Sequence, residues 1–175
     1  MGVLHSYQSS FNSYFEDPVL QDGISKSIEI VRNAPMIYFI GNGGSSAICS
    51  HMAEDYTKCG GIPSHAFSDP ALVTCFANDY GYENAQQKWL EHYMREGDVL
   101  VAISSSGESA NILNAANYAK AKGNPVITLS GFKAANSLSR IGDVNMHVEK
   151  ENYGIVECFH QVLLHIILDS LEENQ

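Results

Sequence analysis

Twice along this chain an apolar run of strand length stops at a cluster of small polar residues, and a helical pattern follows. Met36-Ile37-Tyr38-Phe39-Ile40 ends at Gly41-Asn42-Gly43-Gly44-Ser45, ahead of a helix expected over 47–56. Asp98-Val99-Leu100-Val101-Ala102-Ile103 runs into Ser104-Ser105-Ser106-Gly107-Glu108-Ser109, ahead of a helix over 110–122. Uninterrupted apolar runs of this kind are strands covered on both faces, and a helix after each supplies the long crossover that parallel pairing requires. A third strand is expected over 125–129, after the Lys122-Gly123-Asn124 break, and a weaker fourth over 145–148. The pattern predicts a doubly wound α/β domain: a parallel sheet between two layers of helices.

The remaining segments read as helices. Two lie at 4–15 and 19–31, separated by Asp17-Pro18, a helix-start signal, and form an N-terminal helical hairpin (1–33) suited to a lid or to assembly. Asp69-Pro70 opens another, which ends near Asn78-Asp79-Tyr80-Gly81; a long closing helix covers 154–172. With 175 residues and no internal linker, the chain is expected to form one domain over 1–175.

Charge excludes several classes of function. Ten Lys and Arg against 20 Asp and Glu give a net charge of −10, which argues against coating nucleic acid or an anionic membrane. Any anionic ligand must be held locally. Only 17% of residues are charged, below the roughly 25% average of soluble domains, so part of the surface is expected to be buried against other subunits. Cys49, Cys59, Cys75 and Cys158 show no paired spacing. The first residues lack a signal-peptide pattern, and no uninterrupted apolar stretch approaches the ~20 residues of a membrane helix. A cytoplasmic, assembled protein is the expectation.

Four groups of residues could carry chemistry. The serine loop offers hydroxyls, free backbone N–H groups and a positive helix end, a ready phosphate site, or else a serine-rich helix cap. No P-loop motif accompanies it, so a monoester on a small molecule fits better than a nucleoside triphosphate. The glycine loop either lets a ligand approach the backbone beside Asn42 and Ser45 or is a plain tight turn; Ser46 stands where a dinucleotide fingerprint needs Gly or Ala. His51 shares a helix face with Glu54 and Asp55, a pairing suited to a metal or to proton transfer, or simply a solvated pair. Glu157, Gln161 and His165 recur every fourth residue on the closing helix, a polar stripe that is either ligated and inward or exposed to solvent.

Taken in order, Gly41-Asn42-Gly43-Gly44-Ser45, His51-Met52-Ala53-Glu54-Asp55, Asn78-Asp79-Tyr80-Gly81, Glu96-Gly97-Asp98-Val99-Leu100 and Ile103-Ser104-Ser105-Ser106-Gly107-Glu108-Ser109-Ala110-Asn111 resemble the motifs of sugar isomerase (SIS) domains. The chain is similar, over nearly its whole length, to the phosphoheptose isomerases of that family, which convert sedoheptulose 7-phosphate to glycero-manno-heptose 7-phosphate. The resemblance implies a flavodoxin-like three-layer sandwich. It places Ser104, Ser105, Ser106 and Ser109 in the phosphate loop, and Asn42, Gly43, Ser45 and Asp79 at the sugar. His51 and His165 match active-site histidines that bind zinc in some members. Asp55 stands where the family has a glutamate base, with Glu54 as the adjacent alternative, and Glu157 where it has a metal-binding glutamine. A metal set of His51, Asp55, Glu157 and His165 is thereby implied for one Zn2+ per site, with no nucleotide cofactor.

The reaction so implied is aldose–ketose isomerisation through an enediol, with Asp55 or Glu54 as base and His165 as acid, for a heptose-containing surface glycan. Family members are homotetramers with shared active sites, in keeping with the low charge content. Two other functions are open: an isomerase of another phosphorylated ketose, such as a hexulose phosphate, and a non-catalytic SIS regulator that binds a replication initiator. The latter has no need of both His51 and His165.

Overall fold

The computed structural model describes residues 2–172. The elements in order are α1 (Gly2–Phe15), α2 (Pro18–Arg32), β1 (Ile37–Ile40), α3 (Gly44–Lys58), β2 (Ser64–Ala66), α4 (Pro70–Tyr80) and α5 (Tyr82–Tyr93), then β3 (Val99–Ser104), α6 (Ala110–Ala121), β4 (Val126–Gly131), a single 3-10 turn (Leu138–Arg140), β5 (Val144–Val148) and α7 (Tyr153–Glu172). The two aspartate-proline signals act as read. Asp17 accepts from the Val19 N–H at 2.9 Å, and Asp69 from those of Ala71 and Leu72, while Pro18 and Pro70 take the first helical position, where no N–H is missed.

All five strands are parallel, in the order β2-β1-β3-β4-β5. Residues alternate between two cores. Ile37 and Phe39 of β1 and Val99, Val101 and Ile103 of β3 face the layer of α2, α3 and α7; Tyr38, Ile40, Leu100 and Ala102 face the layer of α4, α5 and α6. That is the doubly wound sheet expected from the sequence. The chain leaves β1 toward β2 on one side and returns to β3 on the other, so the switch of direction lies between β1 and β3. In open parallel sheets ligands enter the crevice at the carboxyl ends of such strands. Here that crevice is walled by the glycine loop and the serine loop.

Two elements were not foreseen. β2 is an edge strand of three residues, none fully buried, and carries no apolar run. α5 follows α4 after a break of one residue, Gly81, whose φ of 78° lets the chain turn without strain.

The N-terminal helices are packed on the body. Phe11, Tyr14 and Phe15 of α1 set their rings 5.0–5.1 Å from that of Phe159 in α7, and the Tyr14 hydroxyl donates to the Glu149 carbonyl. By length and mean hydropathy (1.4 over Tyr153–Leu171) α7 is long and apolar enough to cross a bilayer, which the sequence reading did not anticipate. Half of that stretch is buried; Val156, Phe159, Leu163 and Ile167 belong to the core beneath the sheet. The four cysteines are free thiols, and only Cys49 is buried.

Candidate active site

A cavity of about 160 Å3 opens at the switch point. Asn42 and Ser45 line it from the end of β1, Ser104, Ser105, Ser106 and Ser109 from the end of β3, and Tyr153 and Glu157 from the start of α7. The two loops read as ligand sites thus form one site.

Both helices that begin here lack a side-chain cap. Gly43, before α3, has no side chain to offer, and Ser109, before α6, makes no capping bond; its Oγ accepts instead from the Ser104 hydroxyl at 3.3 Å. Uncapped first turns leave backbone N–H groups and positive helix ends for an anion. The serine loop is held in shape by its own hydroxyls, since Ser104 Oγ accepts from the Gly107 N–H and Ser106 Oγ from the Glu108 N–H, each at 3.2 Å. Glu108 is kept out of the cavity. Its carboxylate takes bonds from the Ser137 N–H and hydroxyl, both 2.8 Å, and these hold its pKa below the ordinary glutamate value.

Asn42 is fixed by residues that sequence reasoning passed over. Its amide pairs with that of Asn111, which also donates to Gln86 Oε1, while the Tyr82 hydroxyl donates to Asn42 Oδ1 at 2.9 Å. Gln86 in turn donates to the Gly41 carbonyl at 3.4 Å. A signal for Gln86 existed: it is a polar residue within the apolar stripe Ala85, Trp89, Leu90 of α5. Asp79, expected at the sugar, lies on the exposed last turn of α4 outside the cavity, accepting from the Asn78 side chain; Tyr82 is what reaches the glycine loop from that side. Gly43 caps α3 at the rim with a φ of 54°.

The second group of candidates meets where α3 and α7 run side by side. His51 Nε2 lies 3.0 Å from Asp55 Oδ2, one turn along α3, and His165 Nδ1 lies 4.0 Å from the same oxygen. The two imidazole rings are 5.4 Å apart, edge to face. His51, Asp55 and His165 each offer one donor atom within 4.8 Å of the others, a set able to hold a metal ion. Gln161, the middle residue of the polar stripe, places its amide nitrogen 2.8 Å from His51 Nδ1.

The stripe therefore faces α3 and the cavity, with one task per residue. Glu157 stands apart from the three-residue group: its carboxylate lies at the first turn of α3, in the space that a side chain at Gly44 would fill. Glu54 is exposed on α3 and is not part of that group. His160, one turn after Glu157, points into the core, where its Nε2 meets the Ser130 carbonyl at 3.0 Å and burial pulls its pKa down to about 4.

Known proteins resemble this chain over most of its length. The SIS domain family model matches residues 15–131. The chain is 34% identical to the phosphoheptose isomerase of Pectobacterium atrosepticum over 174 residues, covering 94% of this chain and 90% of that one. It is 33% identical to that of Cytophaga hutchinsonii, covering 98% and 94%. Among solved structures, the phosphoheptose isomerase of Neisseria gonorrhoeae superposes with a TM-score of 0.90 at 26% identity, covering 98% of this chain and 96% of that one.

Proposed function

This chain belongs to the SIS domain family and is a sugar-phosphate isomerase, and on that premise we propose that it converts sedoheptulose 7-phosphate to D-glycero-D-manno-heptose 7-phosphate through an enediol. The observation that carries the reading is the convergence of His51, Asp55 and His165 on one side of the two helices that also line a serine-rich anion cavity. Glu157 at the cavity and His165 at the cluster are eight residues apart on α7, roughly 12 Å of helix. A phosphorylated chain of seven carbons can reach from one to the other.

The roles follow from position. Ser104, Ser105, Ser106 and Ser109, with the two helix ends, hold the phosphate; Asn42, Gly43 and Ser45 orient the carbons nearest to it, and Asp79 acts only where a neighbouring subunit brings it near. Asp55 removes the proton from C1 of the ketose while His165 protonates the C2 oxygen, giving the enediol; return of the proton to C2 and loss of the O1 proton give the aldose. Asp55 is the base rather than Glu54, because Asp55 shares its oxygen with both histidines.

Two imidazole nitrogens and a carboxylate oxygen this close together fit zinc. His51, Asp55 and His165 would hold it, and the family pattern adds Glu157, whose carboxylate lies at the first turn of α3, as a fourth ligand. Bound there, zinc supplies a Lewis acid for the developing oxyanion.

We read residues 1–175 as one cytoplasmic SIS domain, its product destined for a heptose-containing surface glycan. It assembles as a homotetramer with shared sites, as supported by exposed Val3, Leu4 and Val19 on the N-terminal helices and Tyr153 at the cavity mouth. Light scattering gives four times the chain mass if this holds. The function is tested by incubating the protein with sedoheptulose 7-phosphate in heavy water. Aldose carrying solvent deuterium at C2 supports it, turnover of a hexulose phosphate alone reassigns the substrate, and no isomerisation of either ends the reading.

A further inference from the structure

We propose that Gln161 is a positioning residue for His51, holding the ring with Nε2 toward Asp55 and His165 and accommodating both of its neutral proton arrangements. The inference rests on the zinc reading of that cluster. Gln161 Nε2 lies 2.8 Å from His51 Nδ1, and His51 Nε2 lies 3.0 Å from Asp55 Oδ2. An amide nitrogen only donates, so in this arrangement Nδ1 accepts and the proton of the neutral ring sits on Nε2, where it donates to Asp55. Asp55 and Gln161 thereby grip the imidazole from opposite ends.

A metal ion on Nε2 demands the other tautomer. The proton then belongs on Nδ1, which needs an acceptor, and histidine ligands regularly give this second N–H to a neighbouring acceptor that fixes the ring and raises its basicity. Gln161 carries that acceptor on the same amide. A half-turn of its terminal torsion exchanges nitrogen for Oε1 without moving the helix, and the residue is only partly buried, so the turn meets little resistance. His51 is itself half exposed, and Gln161 supplies the hydrogen bond at its Nδ1 that fixes the plane of the ring on that side. Gln161 and His51 are 110 residues apart in sequence, so the contact also locks α7 to α3 where the cluster forms.

The test is zinc affinity measured by competition with a chromophoric chelator on the full chain, beside Gln161→Leu, Gln161→Glu and His51→Ala. Gln161→Leu is expected to weaken zinc binding 10–100-fold, and Gln161→Glu, which keeps an acceptor at Nδ1, to restore it to the wild-type level or better. Imidazole 15N spectra of the zinc-loaded wild type should show the His51 proton on Nδ1, and those of Gln161→Leu should show that proton broadened by exchange. Wild-type affinity in Gln161→Leu, with all three variants folded by circular dichroism, overturns the inference and leaves the metal site standing. Absence of zinc binding in the wild type, or affinity unchanged in His51→Ala, overturns the metal site and this inference with it.

Discussion

Asn42 and Asn111 exchange amide hydrogen bonds in both directions, at 3.0 and 2.8 Å, tying the loop after β1 to the first turn of α6. Asn42 lines the cavity, and the pair spans the switch point of the sheet beside it. Asn111 is almost fully buried, and so is its partner Gln86, which has no water to turn to if the contact is lost.

Replacing Asn111 by Leu leaves the buried Gln86 oxygen without its donor, frees the Asn42 amide, and is expected to destabilise the fold by about 1–3 kcal/mol. Thermal unfolding should fall by several degrees. Because the change releases Asn42 rather than the proton-transfer groups, KM should rise roughly tenfold or more with kcat little altered, in the affinity range of one hydrogen bond.

The two carboxylates at 54 and 55 should separate cleanly. Asp55→Asn is expected to lower kcat by about 10^2 to 10^4-fold, the span of a lost general base. Glu54→Gln, on an exposed position outside the cluster, should stay within about twofold of the wild type by the convention that such surface changes are near neutral. Steady-state kinetics of the two variants decides between them.

Gly107 has a φ of 68°, and a Cβ there would run into the amide of Asn136, a residue buried and committed to the Ser130 hydroxyl and the Gly131 and Lys133 carbonyls. Gly107→Ala is therefore expected to cost about 1–3 kcal/mol from backbone strain alone. Its serine loop should be displaced as well, so inorganic phosphate measured by calorimetry should bind more weakly than to the wild type.

His160 makes stability depend on acid. Its pKa is about 4 in the folded chain, against an ordinary 6.5, because the charged ring would be stranded in the core. A base whose folded pKa is depressed contributes its full stability above the unfolded value and loses it as pH falls toward the folded one. Between pH 6.5 and 4 this group alone should withdraw roughly 3 kcal/mol. His147, its pKa also lowered by burial, acts in the same direction. Denaturation midpoints should fall over that window, and His160→Gln, which can still donate to the Ser130 carbonyl, should flatten the fall.

The fold was legible where local pattern and tertiary role coincide. β1, β3 and β4 are apolar runs because both faces are covered, and small polar residues follow β1 and β3 where the cavity opens. β2 escaped because three partly exposed edge residues need no apolar signature, and α5 because a single glycine divides it from α4. In the site, His51 and Asp55 could be paired from their spacing, since one turn of helix sets their contact. Their meeting with His165 and Gln161 depends on how α7 lies against α3, which no local pattern encodes. The family pattern put Asp79 and Glu157 into groups that the single chain does not assemble.

No lysine or arginine is among the residues that line the serine-loop cavity. On the proposed reading, its hold on an oxyanion depends on the direction of hydroxyl and amide donors rather than on opposite charge, the more so because the Glu157 carboxylate lines the same cavity. Directional donors of this kind favour a group whose several oxygens can meet them at once, as a tetrahedral phosphate can. Short-range bonds of this kind are screened little by ionic strength, so a phosphate held in this way would be kept by a strongly acidic protein across a wide range of salt.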